Sequence, residues 1–211
     1  MEFTPVSFQL TVFTNLTIDD AKMLAKSFDQ SYKKMALATV ALPNAPWFRI
    51  TNLNQSVNID LSNNRIDYYY LNISEEKITE FLDFINNSGQ VRNISRLAIN
   101  YNYFIADEDN IYKKKLNDLF FSRFFGDVEE LLFRVNNQKK IDDLLFNVIT
   151  DCQNAIAQNN QNLDSTKCIM FHHDINNIST DNIEKDKLLG YFTKMLKELN
   201  TLIEKINGII K

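Results

Sequence analysis

The sequence predicts an α+β fold in which antiparallel strands carry the core and a long C-terminal helix packs on the sheet. Three observations support this. Residues 96–105 alternate without a break: Leu97, Ile99, Tyr101, Tyr103 and Ile105 against Arg96, Ala98, Asn100, Asn102 and Phe104. A period of two puts the first set on one face of a strand and leaves the other mostly polar, as in a sheet solvated on one side. Residues 57–70 hold two short alternating runs joined by Asn63-Asn64, and asparagine tolerates the positive φ of a tight hairpin turn. Residues 188–210 carry apolar side chains at steps of three and four, the spacing of an amphipathic helix.

The elements follow in order. Ser7 to Phe13 alternates, with Phe8, Leu10 and Val12 on one side, and is a strand. Thr17 offers an N-cap, and Asp19 and Asp20 suit the positive end of the helix that follows. Ala21, Leu24, Ala25, Phe28, Tyr32 and Met35 keep helical spacing, which predicts a helix from Ile18 to Met35. Pro43-Asn44-Ala45-Pro46 breaks the chain. Trp47 to Leu53, then Val57 to Leu61, then Ile66 to Tyr70 read as an antiparallel meander. Ser74 caps a helix begun by Glu75 and Glu76, with Ile78, Phe81, Leu82 and Ile85 buried and Gly89 just past its end.

The strand at 96–105 comes next, then a helix from Asp107 to Phe125 with Leu116, Leu119, Phe120 and Phe124 inward and Gly126 ending it. Three strands are expected over Val128–Val135, Leu144–Cys152 and Lys167–Asp174. The last two are joined by a loop from Gln158 to Thr166. Asp181 and Glu184 stand in the capping-box relation before the final helix. Its row Leu188, Phe192, Met195, Leu199, Leu202, Ile206, Ile209 is widened by Leu189, Leu196, Ile203 and Ile210. So wide a stripe belongs to a helix lying on a sheet. Leu188 to Leu202 is expected to pack on its own domain, and Ile203 to Ile210 to reach past it toward a second copy. The order is therefore strand, helix, meander, helix, strand, helix, further strands and the long helix. A single domain over 1–211 is the simplest reading, with the polar stretch Asn136 to Lys140 as the one candidate subdivision.

Composition narrows function by exclusion. A net charge of −4 over 211 residues disfavours a nucleic-acid binder, which needs surplus Lys and Arg on one face. Gly89, Gly126, Gly190 and Gly208 lie far apart, so no glycine-rich loop cradles a phosphate. No apolar run is long enough for a bilayer. The first residues lack a signal-peptide pattern, so the expectation is a cytoplasmic protein with Cys152 and Cys168 as reduced thiols. On that view the N-x-S/T triplets at Asn15, Asn54, Asn72, Asn86, Asn93 and Asn177 arise from an Asn-rich composition. Richness in Asn, Lys, Ile and Phe fits an AT-rich coding sequence and hence a bacterium or a mobile element.

Four candidate sites emerge, each with a plainer alternative. Cys168 to Asp174 holds both histidines. Strand alternation puts His172 with Asp174 on one face and His173 on the other, so the two imidazoles share no metal. His172 and Asp174 are two possible ligands of a metal, against a plain strand end. A loop centred near Asn160 would set Cys152 opposite Cys168, a redox or metal pair, against two small apolar side chains. Lys113, Lys114 and Lys115 spread around a helix, and a solvated surface is the simpler reading. Tyr68-Tyr69-Tyr70, Phe120-Phe121 and Phe124-Phe125 supply more aromatics than one core stripe needs, which is typical of protein interfaces.

Trp47-Phe48-Arg49-Ile50, then Arg96-Leu97-Ala98-Ile99-Asn100-Tyr101-Asn102, then Asp174-Ile175 before the helix from Asn182, occur in an order that resembles a family of uncharacterised bacterial proteins described as sporadically distributed. Asn100 departs from that family, where a second Arg is frequent. The resemblance implies no known activity and transfers no functional residues.

The expected function is a non-enzymatic protein-interaction module of bacterial or mobile-element origin, suited to host–phage or toxin–antitoxin conflict. Tyr69, Phe121, Phe125, Ile203 and Ile210 are the candidate contact residues. No cofactor and no membrane association is expected. The partner is a protein, and a homodimer is one form it could take. The alternative is a metal-dependent hydrolase or nuclease using His172 and Asp174.

Overall fold

The computed structural model describes residues 3–31, 35–39, 46–52, 57–71, 75–158, 165–178 and 182–210. Tyr32, Pro43, Ser74, Asn160 and Asp181, expected to continue, break, cap or turn the chain, lie outside these residues. The fold is α+β. One antiparallel sheet contains β1 (Thr4–Phe13), β2 (Met35–Thr39), β3 (Phe48–Asn52), β4 (Val57–Leu61), β5 (Arg65–Tyr70), β6 (Arg96–Ala106), β7 (Leu132–Ile141), β8 (Leu144–Gln158) and β9 (Ser165–Asn177). They are ordered β2-β3-β4-β5-β1-β6-β9-β8-β7, so β2 and β7 are the edges. The helices are α1 (Ile18–Ser31), α2 (Glu75–Asn87), α3 (Ile111–Phe120), α4 (Ser122–Phe125) and α5 (Leu188–Ile210).

One register runs straight across the sheet. Ile50, Ile59, Tyr68, Leu10, Ile99, Ile175 and Val148 stand side by side on successive strands, and all are buried. Period-two alternation thus builds a continuous apolar face. Leu97, Ile99, Tyr101, Tyr103 and Ile105 of β6 all lie on it, buried. The helices cover this face. Phe81 of α2 stacks on Tyr68 at 4.8 Å between ring centres. Phe28 of α1 stacks on Phe84 of α2. Tyr191 of α5 meets Phe146 of β8. The opposite face is polar and carries Gln9, Thr11, Arg49, Asp60, Asp67, Tyr69, Asn100, Asn102, His172 and Asp174.

Local chemistry accounts for several boundaries. Thr17 and Asp20 form a reciprocal capping box: Asp20 N–H donates to Thr17 Oγ1 and Thr17 N–H to Asp20 Oδ2, both at 3.1 Å. The Thr17 hydroxyl, which donates to Asp20 Oδ2 at 2.7 Å, and then the Thr17 N–H hold the Asp20 carboxyl below its ordinary range. α1 ends at Ser31, and Met35 opens β2, not the last turn of a helix. The expected strand over Val128–Val135 instead spans Leu132–Ile141. Asn136 to Lys140 lie inside it, paired with residues 145–149 of β8. The hairpin turns at Asp142-Asp143, where Asp142 takes φ 53°. α5 is tied to that turn. Lys194 Nζ pairs with Asp142 at 2.5 Å, Tyr191 donates to Asp143, and Lys139 of β7 pairs with Glu198.

The tip of α5 corrects one expectation. Ile203 and Ile206 pack against the core, and Ile210 is 0% exposed. Lys115 of α3 donates to the Ile210 carbonyl at 2.8 Å. The tip is therefore packed against its own chain through these residues, with Ile209 left exposed, and Ile210 offers no surface to a second copy. No helix among the described residues is long and apolar enough to cross a membrane.

Candidate functional site

The two histidines sit on opposite faces of β9. His173 is buried in the core, with Nε2 3.3 Å from the Tyr103 hydroxyl and Nδ1 2.9 Å from Thr150 Oγ1. Burial first, and His172 second, push its pKa down to about 4 from 6.5. The unfolded chain binds this proton first, so the neutral buried ring favours the fold above pH 6.5, and that contribution is lost as pH falls through about 4. The loss should reach about 3 kcal/mol. Urea unfolding at pH 7, 5 and 4 should show a shallower pH dependence for His173→Gln than for the wild type. Equal slopes would refute the assignment.

His172 lies on the polar face. Its Nδ1 is 2.7 Å from Asn102 Oδ1, while Asn102 Nδ2 donates to Ser7 Oγ at 2.9 Å. Nδ1 therefore donates, and Nε2 has no hydrogen-bond partner among the described residues. His172, Asn102, Asp151, Arg134, Gln153 and Met170 line a hollow of about 450 Å³. Asp151 is taken up by Arg134 at 3.0 Å. Asp174 shares the face but accepts from Asn176 Nδ2 at 2.8 Å. No three His, Cys, Asp or Glu side chains among the described residues are grouped to hold a metal ion.

The cysteines are not opposed. Cys152 faces Phe171 and Cys168 faces Ala155 across the β8–β9 ladder. The true register differs by three residues from one centred on Asn160. An odd slip moves side chains to opposite faces, so the thiols point away from each other. Burial raises both, Cys152 to about 12, which suppresses the reactive thiolate. The three lysines also separate. Lys113 Nζ donates to the Glu129 carbonyl at 2.6 Å, Lys115 to that of Ile210, and Lys114 is exposed.

The aromatics divide sharply. Tyr68 is core. Tyr69 is half-buried on the polar face, its pKa pushed up to about 12 by burial and then by Asp67 and Asp60. The expected helix over Asp107–Phe125 is interrupted at Phe121, which has φ −126° and ψ −33°. The chain turns there, and α4 carries Phe124 and Phe125 outward, 76% and 73% exposed. Leu119, Phe120 and Phe124, all expected inward, are all three exposed. Leu116 and Asn117 are the buried residues of α3. Phe120 and Phe121 lie against Phe133 of β7 at 5.0 and 6.3 Å between ring centres. Val135, on the same side of that edge strand as Phe133, is exposed, while the exposed Leu132 lies on the polar face beside Arg134 and His172. A patch of phenylalanine and aliphatic side chains thus runs from the end of α3 over α4 onto the open edge of the sheet. Of the candidate contact residues, Phe121 and Phe125 belong to it; Tyr69, Ile203 and Ile210 do not.

No protein-family model and no curated protein matches this chain.

Proposed function

We propose that this chain is a non-enzymatic interaction module that docks a protein partner on the α3–α4–β7 patch. The observation that carries this reading is the exposure of Phe124 and Phe125 on α4, together with Leu119 and Phe120 at the end of α3. Single exposed apolar residues need no explanation, but a contiguous aromatic group does, since water contact costs free energy that a partner would recover. Aromatic side chains are also the residues that dominate binding energy at interface centres. A bacterial or mobile-element setting in host–phage or toxin–antitoxin conflict is part of the proposal. It rests on the sequence resemblance and the Asn-, Lys-, Ile- and Phe-rich composition.

Phe124→Ser with Phe125→Ser is the direct test. Both side chains are exposed, so thermal stability should change little. A partner captured by the wild-type chain and identified by cross-linking should bind the double variant at least about 30-fold more weakly, the effect of losing one strong contact residue. Equal binding by the two proteins would remove the patch as the docking site.

A further inference from the structure

The edge strand β7 offers a second surface, adjoining the aromatic patch but chemically separate from it. The Leu131 carbonyl accepts from Asn154 N–H, and the ladder pairs Ile141 with Leu144 across a two-residue turn. The odd-numbered residues of β7 therefore bond toward β8. By alternation, the N–H and C=O groups of Leu132, Arg134, Asn136, Gln138 and Lys140 point outward. No strand among the described residues pairs with that side.

The charges along this edge are self-complementary. Glu129 and Glu130 precede the strand and Lys139 and Lys140 end it. Lys139 is engaged by Glu198, but Glu130 and Lys140 make no ion pair among the described residues. Lysine on a sheet edge ordinarily guards against pairing. Here the opposite charge, Glu130, stands in the bend two residues ahead of the strand, so antiparallel pairing of two copies brings unlike charges near each other.

We infer that β7 pairs antiparallel with β7 of a second copy, about a two-fold axis through Val135, joining the two sheets edge to edge. Only registers relating residues of equal parity keep the helix-covered faces of both copies on one side. Centring on Arg134 sets Arg134 against its own copy. Centring on Asn136 sets Lys140 against Leu132. Centring on Val135 pairs Val135 with Val135 and Arg134 with Asn136, and brings each Lys140 toward the Glu130 just ahead of the other copy's strand. Val135 and Phe133 lie on the helix side, so each copy's Val135 extends the apolar strip beside the other's Phe133. The two aromatic patches then flank one axis. This goes beyond the docking reading, because it assigns the second copy to the edge and leaves Phe124 and Phe125 for another partner.

Sedimentation over a wide concentration range tests it, with circular dichroism confirming the fold of each variant. The wild type should reach twice the monomer mass of 24.6 kDa. Asn136→Pro removes an outward donor and leaves the β8 ladder intact, and it should be monomeric. Lys140→Glu or Glu130→Lys alone puts like charges together and should weaken association at least about tenfold. The two together should restore the wild-type value. If Asn136→Pro does not fold, the charge exchange decides. A wild type that stays monomeric throughout overturns the inference, as does a dimer indifferent to the charge exchange. Phe124→Ser with Phe125→Ser should leave this dimer unchanged, so loss of partner capture and loss of self-pairing are read independently.

Discussion

Truncation after Leu202 is expected to cost the protein its stable fold. The deleted turns carry Ile203 and Ile206, which pack against the core, and Ile210, which is fully buried. Burying one such side chain contributes about 1.5–3 kcal/mol. Losing three, two of them partly buried, removes about 4–6 kcal/mol, and the Lys115 contact that anchors the last turn goes with them. That loss is comparable to the whole stability of an ordinary domain, about 5–15 kcal/mol. Urea unfolding followed by circular dichroism should show a broad transition at a much lower midpoint, or none. A cooperative transition at the wild-type midpoint would mean that the tip is dispensable.

The same helix shows how far the sequence could be read. Its apolar row, like the alternation in β6, is a local pattern, and local periodicity reports burial directly. The pattern says that the tip is covered, but not by what. The contact with α3 joins residues 95 apart in sequence, and no local signal predicts it. β2 was hidden for a related reason. Met35-Ala36-Leu37-Ala38 contains strong helix formers, and only pairing with β3 makes it a strand. The aromatic patch was half legible. Doubled phenylalanines announced a surplus, but the turn at Phe121 decides which of them face solvent. The cysteines fail on register alone, because a small error in locating a loop flips the face of every side chain beyond it.

The polar face holds the feature least visible in sequence, and a substitution there should also be costly. Asp60 and Asp67 stand directly opposite each other on β4 and β5, both buried. Two facing carboxylates would repel, yet each has its own arginine. Arg49 grips Asp60 through Nε and Nη2 at 2.7 and 2.6 Å. Arg65 Nε reaches Asp67 Oδ2 at 2.8 Å. Asp67 Oδ1 also accepts from Gln9 Nε2 at 2.9 Å and Thr11 Oγ1 at 2.7 Å, which ties β5 to β1 at the centre of the sheet. Asp67→Ala leaves the buried Thr11 hydroxyl and the Gln9 amide without this acceptor, and Asp60 and its arginine lose a neighbour on one side. Breaking a buried charged network in this way costs about 3–5 kcal/mol. Asp67→Asn keeps an acceptor for Thr11 and Gln9 and should cost distinctly less. Arg65→Gln leaves the Asp67 carboxylate, only 2% exposed, facing Asp60 without its own counter-charge, and should cost more than Asp67→Asn. Equilibrium unfolding of the three variants should therefore place Asp67→Asn as the mildest. If Arg65→Gln proves milder than Asp67→Asn, the buried hydrogen bonds and not the ion pair hold β5 to β1.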